Sequence, residues 1–368
     1  MPRDRVLFFA PSMGGGGAER VLSLLVTALS AQDFDIHLAL AQKQGSLVNT
    51  LPPSVVVHDL KSPRVSRAAV SLVRVVRRVR PTTVMSTITH ANLLAALVRP
   101  AFPTGCRLVV RETNCLDWGF SRSMRMRVVR PVYPRIMRQA DAIVCQTETM
   151  RRELAGAKLP EQKLVTIRNP VDFEGIERQS QAPCDARLRD DETNVVAISR
   201  FDPMKGVDRL LDAAPSLFKS RPNARLWLLG EGPMESELRN KARSLGIDDR
   251  VAFVGFQANP WAWMRRASLF VLPSRFDPSS NSLLESIAMN CPPVALQHAG
   301  GTKEIMMNFG LENRFVADLN AWDGSWFKPL PAEVAQRIRQ LHHVNVIAHQ
   351  YAELFFGGEP DHLGRTAA

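Results

Sequence analysis

Asp277 and Glu285 stand with seven residues between them inside VLPSRFDPSSNSLLESIAMNCPPVALQHAGGTKE, residues 271–304. An ionised carboxylate offers only acceptor oxygens and few lone pairs, so each can serve a ligand or its own helix but only partly both. Glu285 has a purely structural reading as well. Ser282-x-x-Glu285 has the form of a capping box, in which the acid folds back onto the first amides of its helix. Earlier in the chain, Gly14-Gly15-Gly16-Gly17 separates an apolar run from a helical pattern. A bare loop at a helix N-terminus attracts phosphate, although glycines also serve plain tight turns. Asp33-Phe34-Asp35 spells a D-x-D that can hold a divalent metal, but it opens a strand and reads as a solvated turn. His90 falls at the carboxyl end of a strand, where ligand residues collect, while a lone histidine is also a common structural residue.

The hydrophobic pattern supplies the elements that must hold these groups. Residues 269–272 and 293–296 are short apolar strands, with a helix from about Ser282 to Met289 between them. That succession is a βαβ unit, whose loops lie at the carboxyl edge of a parallel sheet. The alternation continues elsewhere, with strands predicted at 6–11, 35–41, 55–59, 84–86, 108–110, 165–168, 194–199, 225–229 and 251–255, and a strand with its loop at 140–147. Trp261 and Trp263 belong to a helix and read as core. Residues 173–192, polar and charged with proline, read as an interdomain linker. The division expected is 1–175 and 176–335, then a helix at 336–356 crossing back to the first domain, then a disordered tail at 357–368.

Several strings in this order resemble the retaining glycosyltransferases of the two-Rossmann (GT-B) architecture, family 4 or group 1. They are Gly16-Gly17-Ala18-Glu19-Arg20-Val21, Asn169-Pro170-Val171-Asp172, Arg200…Lys205-Gly206, and Asp277 with Asn281-Ser282-Leu283-Leu284-Glu285. The chain departs from the family at Asp277, which replaces its first Glu, and at Pro278-Ser279-Ser280, which replaces Gly-Phe-Pro. The resemblance implies an α/β fold of two doubly wound parallel-sheet domains facing across a cleft, the donor on the second and the acceptor on the first. It implies that Arg200 and Lys205 grip the diphosphate of a nucleotide sugar, with Gly16, Gly17 and the amides of Asn281, Ser282 and Leu283 beside them. Arg brings a bidentate fork and Lys a compact point charge to the leaving group. Asp277 would contact the donor sugar and Glu285 the ribose, with His90 as a further catalytic candidate. Gly230, Gly232, Val254, Gly255 and Phe256 would cradle the nucleotide, and Arg111, Glu112 and Asn114 would lie on the acceptor side. No cofactor and no metal are implied, and the expected product is a polysaccharide such as lipopolysaccharide or capsule.

Composition narrows the partners. Residues 1–180 carry 26 Lys and Arg against 14 Asp and Glu, and residues 181–368 carry 21 against 22, so the whole net charge of +11 originates in the first half. Two segments concentrate it, 63–80 and 122–138, each a basic helix interleaved with apolar residues. Such faces suit an anionic membrane or a polyanion. Aromatic interleaving is confined to Tyr133 and no nucleic-acid module is present, so a nucleic-acid partner is not expected. Five scattered cysteines without a C-x-x-C pair read as free thiols in a reducing compartment. With no run long enough to span a bilayer, the expected place is the cytoplasm, peripheral on the inner membrane. Two other classes remain open: a catalytically silent nucleotide-sugar binding protein and a basic nucleic-acid-binding protein.

Overall fold

The computed structural model describes residues 4–32, 34–114, 128–185 and 187–358. The chain divides into two compact units, residues 1–170 with 341–368, and residues 171–340. In the first, β1 (Arg5–Ala10), β2 (Asp35–Leu40), β3 (Val56–Asp59), β4 (Thr83–Thr87), β5 (Arg107–Arg111), β6 (Ala142–Cys145) and β7 (Leu164–Thr166) form one sheet in the order 3-2-1-4-5-6-7. Every pairing in it is parallel. Strands covered on both faces need continuous apolar side chains, and Val6 to Ala10 are each fully buried. The helices are α1 (Gly17–Ser30), α2 (Ala69–Val79), α3 (Thr89–Val98), α4 (Tyr133–Met137) and α5 (Glu148–Gly156). α1 buries Val21, Leu22, Leu25, Val26 and Leu29, the three-and-four spacing of one helical face.

The second unit repeats the plan. β8 (Thr193–Ile198), β9 (Ala224–Leu229), β10 (Val251–Gly255), β11 (Leu269–Leu272), β13 (Pro293–Leu296) and β15 (Phe315–Val316) pair in the order 10-9-8-11-13-15, all parallel. Between them stand β12 (Phe276–Asp277) and β14 (Ala299–Gly300), a separate two-stranded ribbon. Its helices are α6 (Phe173–Ser180), α7 (Val207–Ser220), α8 (Glu235–Ser244), α9 (Trp261–Arg265), α10 (Asn281–Ala288), α11 (Thr302–Asn308) and α12 (Ala332–His342), whose last two residues fall in the first unit. Trp261 and Trp263 are core, and the Trp263 ring lies 5.3 Å from Trp227, whose Nε1 donates to Asn194 Oδ1 at 2.8 Å. The last helix, α13 (Val344–Phe355), belongs to the first unit. Phe355 meets Phe8 edge-on at 6.2 Å, and Thr83 Oγ1 donates to the Phe355 carbonyl at 3.1 Å.

Strand order reverses between β1 and β4 in one sheet and between β8 and β11 in the other. Ligands bind outside the carboxyl ends of strands at such switch points.

Some expected bounds move. The stretch 173–192 is no free linker, because Phe173–Ser180 is a helix that buries Phe173 and Ile176 and whose Asp172 cap accepts from the Gly175 amide at 2.9 Å. The passages between units fall at 170/171 and 340/341. The basic segment 63–80 is a short turn, Val65–Arg67, and then α2, so Arg64 and Arg67 precede the helix. Of 122–138, residues 122–127 lie outside those described, as do Asp33, Cys115 and 359–368.

Candidate functional site

The carboxyl edge of the second sheet gathers most of the chemistry. Lys205 closes a short turn, Pro203–Lys205, whose cap Asp202 accepts from the Met204 and Lys205 amides at 2.9 and 3.3 Å. Gly206 follows with φ 64, and a Cβ there would collide with the Pro273 carbonyl. This close approach of backbone to backbone carries Lys205 towards the loop after β11. Its Nζ meets Asp277 Oδ2 at 2.7 Å, across 72 residues of chain. Asp277 is held from behind by the ribbon, paired in register with Gly300, while its carbonyl accepts from the Gly301 amide at 3.1 Å. Its side chain is 6% exposed and that of Lys205 is 22%. Arg200 stands differently, with 77% of its side chain exposed and its guanidinium 3.7 Å from Asp202. Arg275 ties the same loops together, each terminal nitrogen 2.6 Å from an Asp208 oxygen.

The nucleotide-side candidates are held by backbone. Gly230 has φ 137, and a Cβ there would collide with the Ser199 carbonyl; one on Gly232 would collide with Phe201. Only glycine fits either place without moving the loop. Gly230 donates to the Gly255 carbonyl at 2.9 Å, and Glu231 Oε1 accepts from the Phe256 amide at 3.2 Å. The Phe256 side chain is 53% exposed beside half-buried Val254.

The capping box is not formed. Ser280, not Ser282, caps α10, its Oγ accepting from the Leu283 amide at 3.3 Å. The helix therefore begins two residues earlier than a Ser282 cap requires, and Glu285 sits beyond the third helical position where a reciprocal acid belongs. Glu285 is buried instead, 9% exposed. The cap also occupies the Leu283 amide, so the expected anion site at this N-terminus contracts to the half-buried Asn281 and Ser282.

In the first unit the candidate residues separate. Gly16 caps α1, and the Glu19 carboxylate lies so close over it that an added Cβ would be 2.6 Å from Oε2. Helix α1 thus already has an acid at its own N-terminus, beside Gly17. His90 follows Ile88, a β-branched residue at φ 75 and ψ 127. That conformation is costly and persists only where surroundings impose it. They do so here: Thr89 Oγ1 donates to Glu112 Oε2 at 2.8 Å, and Asn92 Nδ2 donates to Glu112 Oε1 at 2.8 Å. The His90 side chain is exposed yet crowded, and desolvation lowers its pKa. Arg111 and Glu112, expected to face an acceptor, are 3% and 0% exposed. Arg111 Nη2 donates to Asn169 Oδ1 at 2.5 Å, and burial raises the Glu112 pKa. Both are internal braces rather than acceptor contacts, because their charges are spent inside the unit. Asn114 is half-buried at the last residue described before 128. Of the D-x-D, Asp35 is bound to Arg5 at 2.6 Å. Among the described residues no three His, Cys, Asp or Glu side chains gather as a metal's ligands.

Sequence reasoning passed over the residues that flank these groups. Ser199, Ser274, His298 and Thr302 each have a buried side-chain atom without a partner; the first three follow strands of the second sheet at its carboxyl edge, and Thr302 follows the ribbon strand β14. Only their places after strands signalled them.

Comparison with known proteins agrees with this layout. Residues 15–174 match the family model described as Glycosyltransferase Family 4, and residues 181–344 match Glycosyl transferases group 1. The chain is 26% identical over 322 residues to the N-acetylgalactosamine-N,N'-diacetylbacillosaminyl-diphospho-undecaprenol 4-alpha-N-acetylgalactosaminyltransferase of Campylobacter jejuni, covering 82% of this chain and 84% of that protein. It is 29% identical over 229 residues to the GDP-mannose-dependent alpha-(1-6)-phosphatidylinositol monomannoside mannosyltransferase of Mycolicibacterium smegmatis, covering 59% and 58%. Among solved structures, Anabaena HepE in complex with UDP-glucose superimposes with a TM-score of 0.77 at 18% identity, over 96% of this chain and 99% of that one.

Proposed function

The chain belongs to the GT-B glycosyltransferases of group 1 and family 4, and from that membership we propose that it moves a sugar from a nucleoside diphosphate sugar to a lipid-linked or polysaccharide acceptor, with retention and without a divalent metal. The observation that carries the donor reading is the meeting of Lys205 and Asp277 at 2.7 Å, with Arg200 exposed nearby in sequence. Cations fixed before the reaction stabilise charge that develops on a departing diphosphate. With Asp277 engaged by an ammonium, a front-face displacement is the route proposed. The bond from the anomeric carbon to the phosphate oxygen breaks, the acceptor oxygen bonds to the same face, and its proton passes to the leaving phosphate. The named acceptor of the Campylobacter relative carries diphospho-undecaprenol, which supports a lipid-linked acceptor here.

Thermal melting with UDP, GDP, ADP and their common sugars tests the donor. One nucleotide is expected to raise the midpoint, since a ligand at a hundred times its Kd adds about 2.7 kcal/mol. The product is then expected to keep the donor's anomeric configuration by NMR, at a rate unchanged by EDTA. Absence of any shift would remove the donor reading; an inverted product or loss of rate on chelation would remove the mechanism.

Acting at a membrane surface is part of the same proposal. No helix among the described residues is long and apolar enough to cross a membrane. α2 carries Arg74, Arg77 and Arg78 and no acid. Beside it a groove of about 540 Å³ is lined by Val70, Val73, Leu97 and Pro100 with Arg74 and Arg77. Val70 and Leu97 are 60% and 59% exposed. Basic and apolar groups on one face bind anionic bilayers, at about 1 kcal/mol per basic residue. The pair Val70→Asp and Arg74→Glu is expected to cut cosedimentation with phosphatidylserine vesicles about tenfold or more. Equal, negligible binding of the native chain to anionic and neutral vesicles would sink this part.

A further inference from the structure

His298 lies two residues past β13 and one before the ribbon that holds Asp277. In that ribbon Phe276 pairs with Ala299 and Asp277 with Gly300, and a Cβ on Gly300 would collide with the Asp277 carbonyl. The loop 298–301 is therefore laid directly along Asp277. The ring's Nδ1 stands 2.5 Å from the Ala299 carbonyl. A carbonyl oxygen only accepts, so Nδ1 carries the hydrogen, and in a neutral ring Nε2 is left as a bare acceptor. Burial lowers the ring's pKa, with Lys205 and Arg209 acting in the same sense and the Ala299 hydrogen bond and Asp277 opposing, a net shift that favours the neutral ring. Phe315 backs it edge-on at 6.1 Å. Nε2 is nonetheless buried and unpartnered, and a buried polar atom without a partner costs about 1–3 kcal/mol.

A neutral Nε2 lone pair repels phosphate oxygens, which are acceptors themselves; it requires an O–H or N–H. Within the proposed donor site that distinguishes the sugar from the diphosphate. Asp277, one methylene shorter than the family's Glu, is drawn onto Lys205, so a second acceptor beside it has a use. Resting on the donor reading above, we infer that His298 Nε2 accepts a hydrogen bond from a hydroxyl, or an acylamino N–H, of the donor sugar and so helps to set which sugar is taken.

Calorimetric titration with UDP, UDP-glucose, UDP-N-acetylglucosamine, GDP and GDP-mannose tests this in the full chain. His298→Ala is expected to weaken the preferred nucleotide sugar about tenfold, the value of one hydrogen bond, while the parent nucleotide binds as before. His298→Gln, which returns an acceptor oxygen at similar reach, is expected to recover most of the loss. The unchanged nucleotide affinity also certifies that the variant folds. Equal loss for nucleotide and nucleotide sugar, or no loss for either, overturns the assignment. If the native chain binds none of the five and shows no melting shift with ADP or its common sugars, the donor reading itself fails and this inference with it.

Discussion

Lys205→Met is expected to lower kcat/KM for transfer by about two to three orders of magnitude, the effect of removing one fixed stabiliser of developing charge. A lysine ammonium has three hydrogens. One is committed to Asp277 at 2.7 Å, which leaves two for phosphate oxygens and holds the side chain in place before the donor arrives. The same substitution strips a buried aspartate of its partner. Leaving one charge of a buried pair uncompensated costs roughly 3 kcal/mol, so the melting temperature falls as well. The double variant Lys205→Met with Asp277→Asn separates the two effects. With both charges gone it is expected to recover most of the stability and none of the activity. The measurements are melting curves beside steady-state kinetics with the nucleotide sugar identified by the binding screen. Activity in Lys205→Met within threefold of the native chain would dismiss its role at the diphosphate.

The strands were legible because those covered on both faces must be apolar throughout; Val6–Ala10, Leu269–Leu272 and Pro293–Leu296 stand out for that reason. Loops at their carboxyl ends were legible with them, though Ser199, Ser274 and His298 on those loops were passed over. What escaped was anything decided by a distant partner. The Lys205–Asp277 pair spans 72 residues, and nothing near either one announces it. Arg111 and Glu112 were placed on the acceptor side by the family resemblance alone; their burial depends on partners distant in sequence, Asn169 for Arg111 and Thr89 and Asn92 for Glu112. The helix start failed for a local reason. Ser279, Ser280 and Ser282 are all competent caps, and only backbone geometry selects Ser280.

The chain is expected to lose stability steadily as the pH falls from 6.5 towards 4, with His342 the largest single cause. Its ring is fully enclosed, with Nδ1 2.8 Å from the Asn169 carbonyl at the point where both passages between units meet the first unit. Burial lowers its pKa to about 4, and Arg168 adds to the effect. In the unfolded chain it titrates near 6.5, so below that pH the unfolded state binds the extra proton. The stability attached to the neutral ring is whole above 6.5 and declines through the interval down to 4. At 1.36 kcal/mol per pH unit that amounts to about 3 kcal/mol, or roughly 6–12 °C in melting temperature for a unit of this size. His37 and His58, stacked with Nδ1 and Nε2 2.8 Å apart, have lowered values and act in the same direction. Glu112 opposes them, since a carboxyl with a raised pKa favours the folded state as it protonates. Melting curves at half-unit intervals from pH 7.5 to 4.5 measure the net slope. His342→Asn keeps a donor for the Asn169 carbonyl but has no titrating ring, so it should flatten that slope by about one proton's worth. A variant whose curve runs parallel to the native one across the whole range would show that His342 is not the group that titrates.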